Sequence, residues 1–193
     1  PDRVWEWYQY RRSIINETKP NTGHEAIVEF EKYYNKVTVV TQNVDNLHGR
    51  AGSKNIYELH GNIERNFCID CKEYFGKDNF ATELKETPRC KKCGGLIRPD
   101  VVWFGEMLPQ GVFETSEMLA LECDICFIVG TSAVVYPAAY IPISAKNGGA
   151  YLVEINVERT EISNFVNYSI IGKSGEILPE ILELVKAAKI LSL

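Results

Sequence analysis

Six cysteines stand in three C-x2-C pairs: Cys68 with Cys71, Cys90 with Cys93, and Cys123 with Cys126. The first two pairs are separated by 18 residues, within the tetrathiolate zinc spacing C-x2-C-x15–20-C-x2-C. Two residues between thiolates let one knuckle turn present two sulfurs to a single tetrahedral ion, and four thiolates leave no open coordination position. Cys68, Cys71, Cys90 and Cys93 are therefore expected to hold one structural Zn2+. The third pair reads differently. Cys123 and Cys126 open the apolar run CysAspIleCysPheIleValGly, expected as a buried strand. Strand positions three apart point to opposite faces, so these two are expected to be core thiols.

Three histidines differ in setting. His24 is expected on the surface of a helix amid polar neighbours. For His48, at the end of AspAsnLeuHis, a structural hydrogen bond serves as well as chemistry. His60 follows TyrGluLeu, precedes Gly61, and lies where two units of the chain meet. Such boundaries favour clefts, and an imidazole there is a candidate general base. Small and polar residues cluster in three further places: Thr41-Gln42-Asn43-Val44-Asp45-Asn46, Gly130-Thr131-Ser132 and Asn156-Val157-Glu158.

The elements that must position them follow from pattern. Helical spacing predicts helices over 2–17 and 22–34, the second with Ala26, Ile27, Phe30 and Tyr34 on its apolar stripe. A β-branched strand is expected to end near Thr41, followed by a polar loop over 43–55. Residues 72–89 are charged and read as irregular, with an exit strand ValValTrpPhe over 101–104. Helices over 109–122, 137–146 and 174–189 alternate with strands over 125–129, 150–155 and 169–171. That alternation argues for an α/β fold: a Rossmann-like parallel sheet covered on both faces, with an inserted small zinc-ribbon domain. The expected division is 1–59 and 98–193 for the sheet and 60–97 for the zinc module. In such sheets ligands bind outside the carboxyl ends of the strands, where all three polar clusters fall, which points to a nucleotide. Gly130 lets backbone approach a phosphate, Thr131 and Ser132 can donate to it, and Glu158 can accept from ribose hydroxyls.

Composition excludes several classes. The chain has 193 residues, 45% apolar and 11% aromatic, which is material for a core and not the make-up of a disordered chain. No apolar run approaches the roughly 18 residues a membrane span requires. With 21 Lys+Arg against 26 Asp+Glu the net charge is −5, which argues against nucleic acid bound across a whole face. Thiols without a signal peptide point to the cytoplasm.

With these residues in hand the chain resembles the sirtuins, the NAD-dependent protein lysine deacylases. The motifs that carry the resemblance are ThrGlnAsnValAspAsnLeuHis (41–48), LeuHisGly (59–61), the two zinc pairs, ArgProAspValValTrpPheGlyGlu (98–106), GlyThrSer (130–132) and AsnValGlu (156–158), in the family's order. The resemblance implies His60 as general base and Asn43 as the residue positioning a water or ribose hydroxyl. It implies Gln42, Asn43, Val44 and Asp45 around the nicotinamide and its ribose. Gly130, Thr131, Ser132, Asn156, Val157, Glu158 and Ser174 would contact phosphates, ribose and adenosine. Val102, Trp103, Phe104 and Gly105 would receive an acylated-lysine peptide as an added strand. The implied reaction consumes NAD and yields nicotinamide, free lysine and 2′-O-acyl-ADP-ribose. Tyr8 and Arg11 resemble the Tyr-x-x-Arg pair of the branch that accepts succinyl- and malonyl-lysine, where a guanidinium binds the acyl carboxylate.

The family's opening strand, its GlyAlaGly-x-Ser turn and its cofactor loop have no counterpart here. Two expectations follow: a natural protein longer than this sequence, or a short, non-catalytic, zinc-stabilised binding module.

Overall fold

The computed structural model describes residues 1–81 and 84–190. Helix α1, Asp2–Glu17, buries Trp5, Tyr8, Gln9 and Arg12, spaced three and four apart and so on one face. Helix α2 is Thr22–Phe30. It stops short of the expected Tyr34 because the chain tightens into turns from Glu31. Asn21 caps its start, accepting from Gly23 and His24 backbone N–H at 2.9 and 3.2 Å. The His24 ring is turned back by that cap and packs on His48 with ring centroids 4.7 Å apart. His24 is thus half-buried, not the surface residue expected from its polar neighbours.

Strand β1, Val39–Thr41, runs parallel to β2, Ile56–Glu58. Between them lies a short helix α3, Leu47–Ala51, where a loop was expected. Leu47 is its one buried residue, so no apolar period announces it. Asn46 enters it with φ 60°. Gly49 leaves room for the Asn46 side chain, whose Oδ1 would stand 2.4 Å from a Cβ there.

Strand β3, Gly61–Cys68, is flanked by β4, Tyr74–Gly76, and β5, Ile97–Val101, in an antiparallel ribbon. Two expectations change here. Residues 74–79 are ordered as β4 and a 3-10 turn, because Phe75 packs beside Phe80 on the ribbon core; residues 82 and 83 lie outside the described residues. The exit strand ends at Val101, and 102–105 leave it as an irregular turn.

The second half is helix α4, Val112–Leu121, strand β6, Ile125–Val129, helix α5, Tyr140–Asn147, strand β7, Tyr151–Asn156, strand β8, Tyr168–Ile171, and helix α6, Ser174–Ile190. Strands β6, β7 and β8 are parallel, with β7 in the middle. Leu152 faces a core with Ala120, Ile128, Ile141 and Ala145, while Val153 and Ile155 face Ala26, Phe30, Leu178 and Leu182. The sheet therefore lies between α4/α5 and α2/α6, the layering expected of an α/β domain. Cys123 precedes β6, so the argument that it diverges from Cys126 fails. Cys123 Sγ donates to the Ala120 carbonyl at 3.2 Å; the neighbouring Cys126 thiol draws Cys123 down, while Cys123 and burial push Cys126 up. Both pack against the core as expected.

Candidate functional site

Strand β1 delivers Gln42 to Asp45 at its carboxyl end, and the following segment is tied down on three sides. Asn43 N–H donates to Thr41 Oγ1 at 3.0 Å, Asp45 Oδ1 accepts Leu47 N–H at 2.9 Å, and the Val44 carbonyl accepts Ile63 N–H at 2.8 Å. The last of these bonds comes from β3 and joins the loop to the ribbon. Glu64 secures the other side, accepting from Asn46 Nδ2 at 2.8 Å and pairing with Arg50 and Lys77. Burial raises the Glu64 carboxyl, but those hydrogen bonds outweigh it and hold the group below its ordinary value.

His60 sits at the junction. Its Nδ1 is 3.1 Å from the Gln42 carbonyl oxygen. A carbonyl only accepts, so Nδ1 carries the hydrogen and the Nε2 lone pair is left for chemistry. The His60 carbonyl accepts Val102 N–H at 3.0 Å, which places the imidazole between the 42–45 loop and the 102–105 segment. Gly61 follows with φ 80°, and a Cβ there would stand 2.1 Å from the Asp100 carbonyl oxygen. No other residue lets β3 pass so close to β5 while turning His60 toward the loop.

The other two polar clusters meet at Thr131. Its Oγ1 accepts from Gln42 Nε2 at 3.4 Å and from Ala133 N–H at 3.1 Å, and its carbonyl accepts Asn156 Nδ2 at 3.0 Å. Gly130 has φ 59° and open space where a Cβ would stand, leaving backbone free to face an anion. Asn156 passes the connection on, its carbonyl accepting Gly172 N–H at 2.8 Å beside the Ser174 turn. The structure thus brings residues 42–45, 130–132, 156–158 and 174 to one edge of the sheets. Ser132, Val157 and Glu158 are exposed there.

Around 102–105 the structure shows a cluster that sequence reasoning missed. Trp103 Nε1 donates to Tyr8 Oη at 2.7 Å, Arg98 lies 3.5 Å over the Trp103 ring, and Glu106 pairs with Arg98 at 2.5 Å. Glu106 also accepts Trp103 N–H at 2.9 Å. Arg98 and Glu106 bracket the motif eight residues apart, a charge pairing that was the available signal. Phe104 is fully exposed. Tyr8 is buried, whereas Arg11 is exposed with its guanidinium 5.6 Å from the centre of the Trp7 ring. The Tyr8 hydroxyl and the Arg11 guanidinium thus meet different neighbours, Trp103 and Trp7.

The four ribbon thiols do converge. All four sulfurs lie within 4.8 Å of one another, with Cys68–Cys93 at 3.4 Å and Cys71–Cys90 at 3.7 Å. A zinc tetrathiolate with ~2.3 Å bonds has edges of ~3.8 Å. The set is a four-cysteine zinc site.

A parallel sheet with polar strand ends, a tautomer-fixed histidine and a zinc ribbon beside it together define a nucleotide-dependent enzyme architecture. The Sir2 family profile matches residues 1–137, and the chain belongs to the Sir2 family. An NAD-dependent protein deacylase of Pyrococcus furiosus is 49% identical over 187 residues, covering 95% of this chain and 75% of the relative. NAD-dependent protein deacylase 2 of Pyrobaculum aerophilum is 49% identical over 186 residues, covering 96% and 74%. The crystal structure of a Sir2 homologue–NAD complex superposes with a TM-score of 0.91 at 39% identity, over 97% of this chain and 73% of that one. A Sir2 bound to acetylated peptide superposes with a TM-score of 0.82 at 33% identity, over 88% and 72%.

Proposed function

We propose that this chain works as an NAD-dependent protein-lysine deacylase, removing acyl groups from lysine side chains of proteins or peptides and passing them to ADP-ribose. The observation that carries the reading is His60, its Nδ1–H committed to Gln42 and its carbonyl to Val102 in a Sir2 fold. NAD, when bound, supplies an electrophilic ribose carbon and the hydroxyl that takes the acyl group.

The chain's own residues divide the rest. Gln42, Asn43, Val44 and Asp45 hold the nicotinamide end, and Asn43 orients a water or ribose hydroxyl. Gly130, Thr131 and Ser132 face the phosphates, with Asn156, Val157, Glu158 and Ser174 at the adenosine end. Val102, Trp103, Phe104 and Gly105 receive the peptide by main-chain hydrogen bonds, which tolerate varied sequence. His60 Nε2 takes the ribose-hydroxyl proton. Tyr8 and Arg11 favour acyl groups ending in a carboxylate. The zinc holds the ribbon together and does not touch the reaction. Among the described residues no helix is long and apolar enough to cross a membrane. Four zinc-binding thiolates and two thiols outside any disulfide suit the reducing cytoplasm.

Incubation with NAD and an acyl-lysine peptide is expected to release nicotinamide and acyl-ADP-ribose, read by mass spectrometry. His60→Ala should slow turnover by about 10³-fold while zinc stoichiometry stays at the wild-type value. Full activity in that variant would remove His60 from the base role.

A further inference from the structure

Glu154 stands in the middle strand β7 with no exposed surface. The groups that face its carboxylate are hydroxyls. Thr160 Oγ1 donates to Oε1, and the Ser163 and Ser169 hydroxyls donate to Oε2 at 2.6 Å each. Ser163 Oγ also accepts Thr160 N–H at 2.8 Å, closing a ring of bonds. Burial raises this carboxyl, but Ser163, Ser169, Thr160 and the charge of Arg159 outweigh it and hold the group below its ordinary value. A buried carboxylate satisfied by three hydroxyls is a rigid hub, because every donor is short and charge-assisted.

The three hydroxyls differ in what they hold. Ser169 lies on β8 directly opposite Glu154 in the parallel ladder, so its bond joins strands the backbone already joins. Thr160 and Ser163 lie beyond the end of β7. Their bonds reach back into the strand and fold the chain over its own end, closing a short loop that carries Val157 and Glu158. The near end of that loop is fixed independently, by Asn156 Nδ2 on the Thr131 carbonyl and by Gly172 N–H on the Asn156 carbonyl. The far end has the Glu154 network as its anchor.

We propose that Glu154 is the positioning residue of the adenosine-ribose subsite, its buried carboxylate setting the place of residues 157 and 158 through Thr160 and Ser163. This rests on the assignment of residues 156–158 to the adenosine end of NAD. A carboxylate that served only the stability of the sheet would act through all three hydroxyls alike.

Thr160→Val and Ser169→Ala each take one hydroxyl from the same carboxylate, and they separate the two roles. In Thr160→Val the calorimetric Kd for ADP-ribose and the KM for NAD should rise about tenfold, the effect of one charge-assisted hydrogen bond. Its kcat and its KM for peptide should hold, and Thr160→Ser should restore wild-type binding. Ser169→Ala should lower Tm yet leave the ADP-ribose Kd within about twofold, a change too small to represent a lost hydrogen bond. Ser163→Ala tests the same arm as Thr160 should the valine variant fold poorly. Equal effects on Kd from the Thr160 and Ser169 variants, or no effect from the Thr160 and Ser163 variants, overturn the proposal. Wild-type protein that does not bind ADP-ribose at all would instead sink the assignment of the subsite, and this inference with it.

Discussion

Tyr8 and Arg11 are three residues apart on α1, yet they meet different neighbours. The Tyr8 hydroxyl accepts from Trp103 and so keeps its own proton to donate. Arg11 is exposed against Trp7 with no buried partner to hold it there. One fixed donor and one exposed guanidinium suit an acyl chain that ends in a carboxylate. Arg11→Met is expected to lower kcat/KM for succinyl- and malonyl-lysine peptides by about 10–100-fold while the acetyl peptide changes little. An unchanged ranking of the three peptides would take the pair out of the acyl pocket. Arg12, the next residue, was visible in the sequence only as part of a helical face with Trp5 and Tyr8. In the structure it is buried and donates to the Ile63 carbonyl at 2.6 Å, to Arg65 O at 3.4 Å and to Asn66 Oδ1 at 2.5 Å. Burial pulls its guanidinium down to about 10. Nothing in spacing distinguishes a buried arginine from a solvated one, since the difference lies in carbonyls 51 and more residues away.

Those carbonyls belong to an irregularity in the ribbon. The register of β3 against β5 shifts between Asn62 and Asn66, leaving groups without ladder partners. Arg12 supplies them from α1, and Trp5 of the same helix packs on Cys68, Cys90 and Ile97 with its Nε1 on the Leu84 carbonyl at 2.9 Å. The opening helix is thus seated on the zinc ligands. Stripping the metal with a chelator should release one zinc per chain, unfold the ribbon and shift tryptophan emission to the red as Trp5 is exposed. Cys71→Ser should show the same emission before any chelator is added. Unmoved emission after zinc loss would mean that the ribbon stands without its ion. The zinc spacing was fully legible because four thiolates and two turns make a local pattern. The β4 strand and helix α3 were not, being held by single apolar residues, Phe75 and Leu47, too few to set a period.

Across the molecule the shifted carboxyls move the same way. Glu64, Glu106 and Glu154 are all held below the ordinary value of 4.5. A carboxyl with a lowered folded-state value adds stability that is complete above its unfolded value and is lost as pH falls through the folded one. Thermal stability should therefore be level in this respect above about pH 5.5 and decline below about 4.5. Glu64→Gln should lower stability at neutral pH by about 2 kcal/mol and flatten the acid decline. A Tm–pH curve that overlays the wild type would show that the Arg50–Glu64–Lys77 cluster contributes nothing net. The alternation of strands and helices and the layered sheet could be read from the chain, since each rests on periodicity or on neighbours close in sequence. Thr131, Glu154 and the Arg98–Trp103–Tyr8 cluster act through contacts between distant segments, and only the folded chain displays them.

The seating of α1 on the ribbon also redraws what counts as a part. By sequence the first 17 residues adjoin the nucleotide-binding half, yet they pack on a ribbon that begins dozens of residues later. A ribbon transplanted into another scaffold without that helix would carry its bulge carbonyls bare and its metal core open on one side. The transferable unit is a discontinuous one, helix and ribbon together.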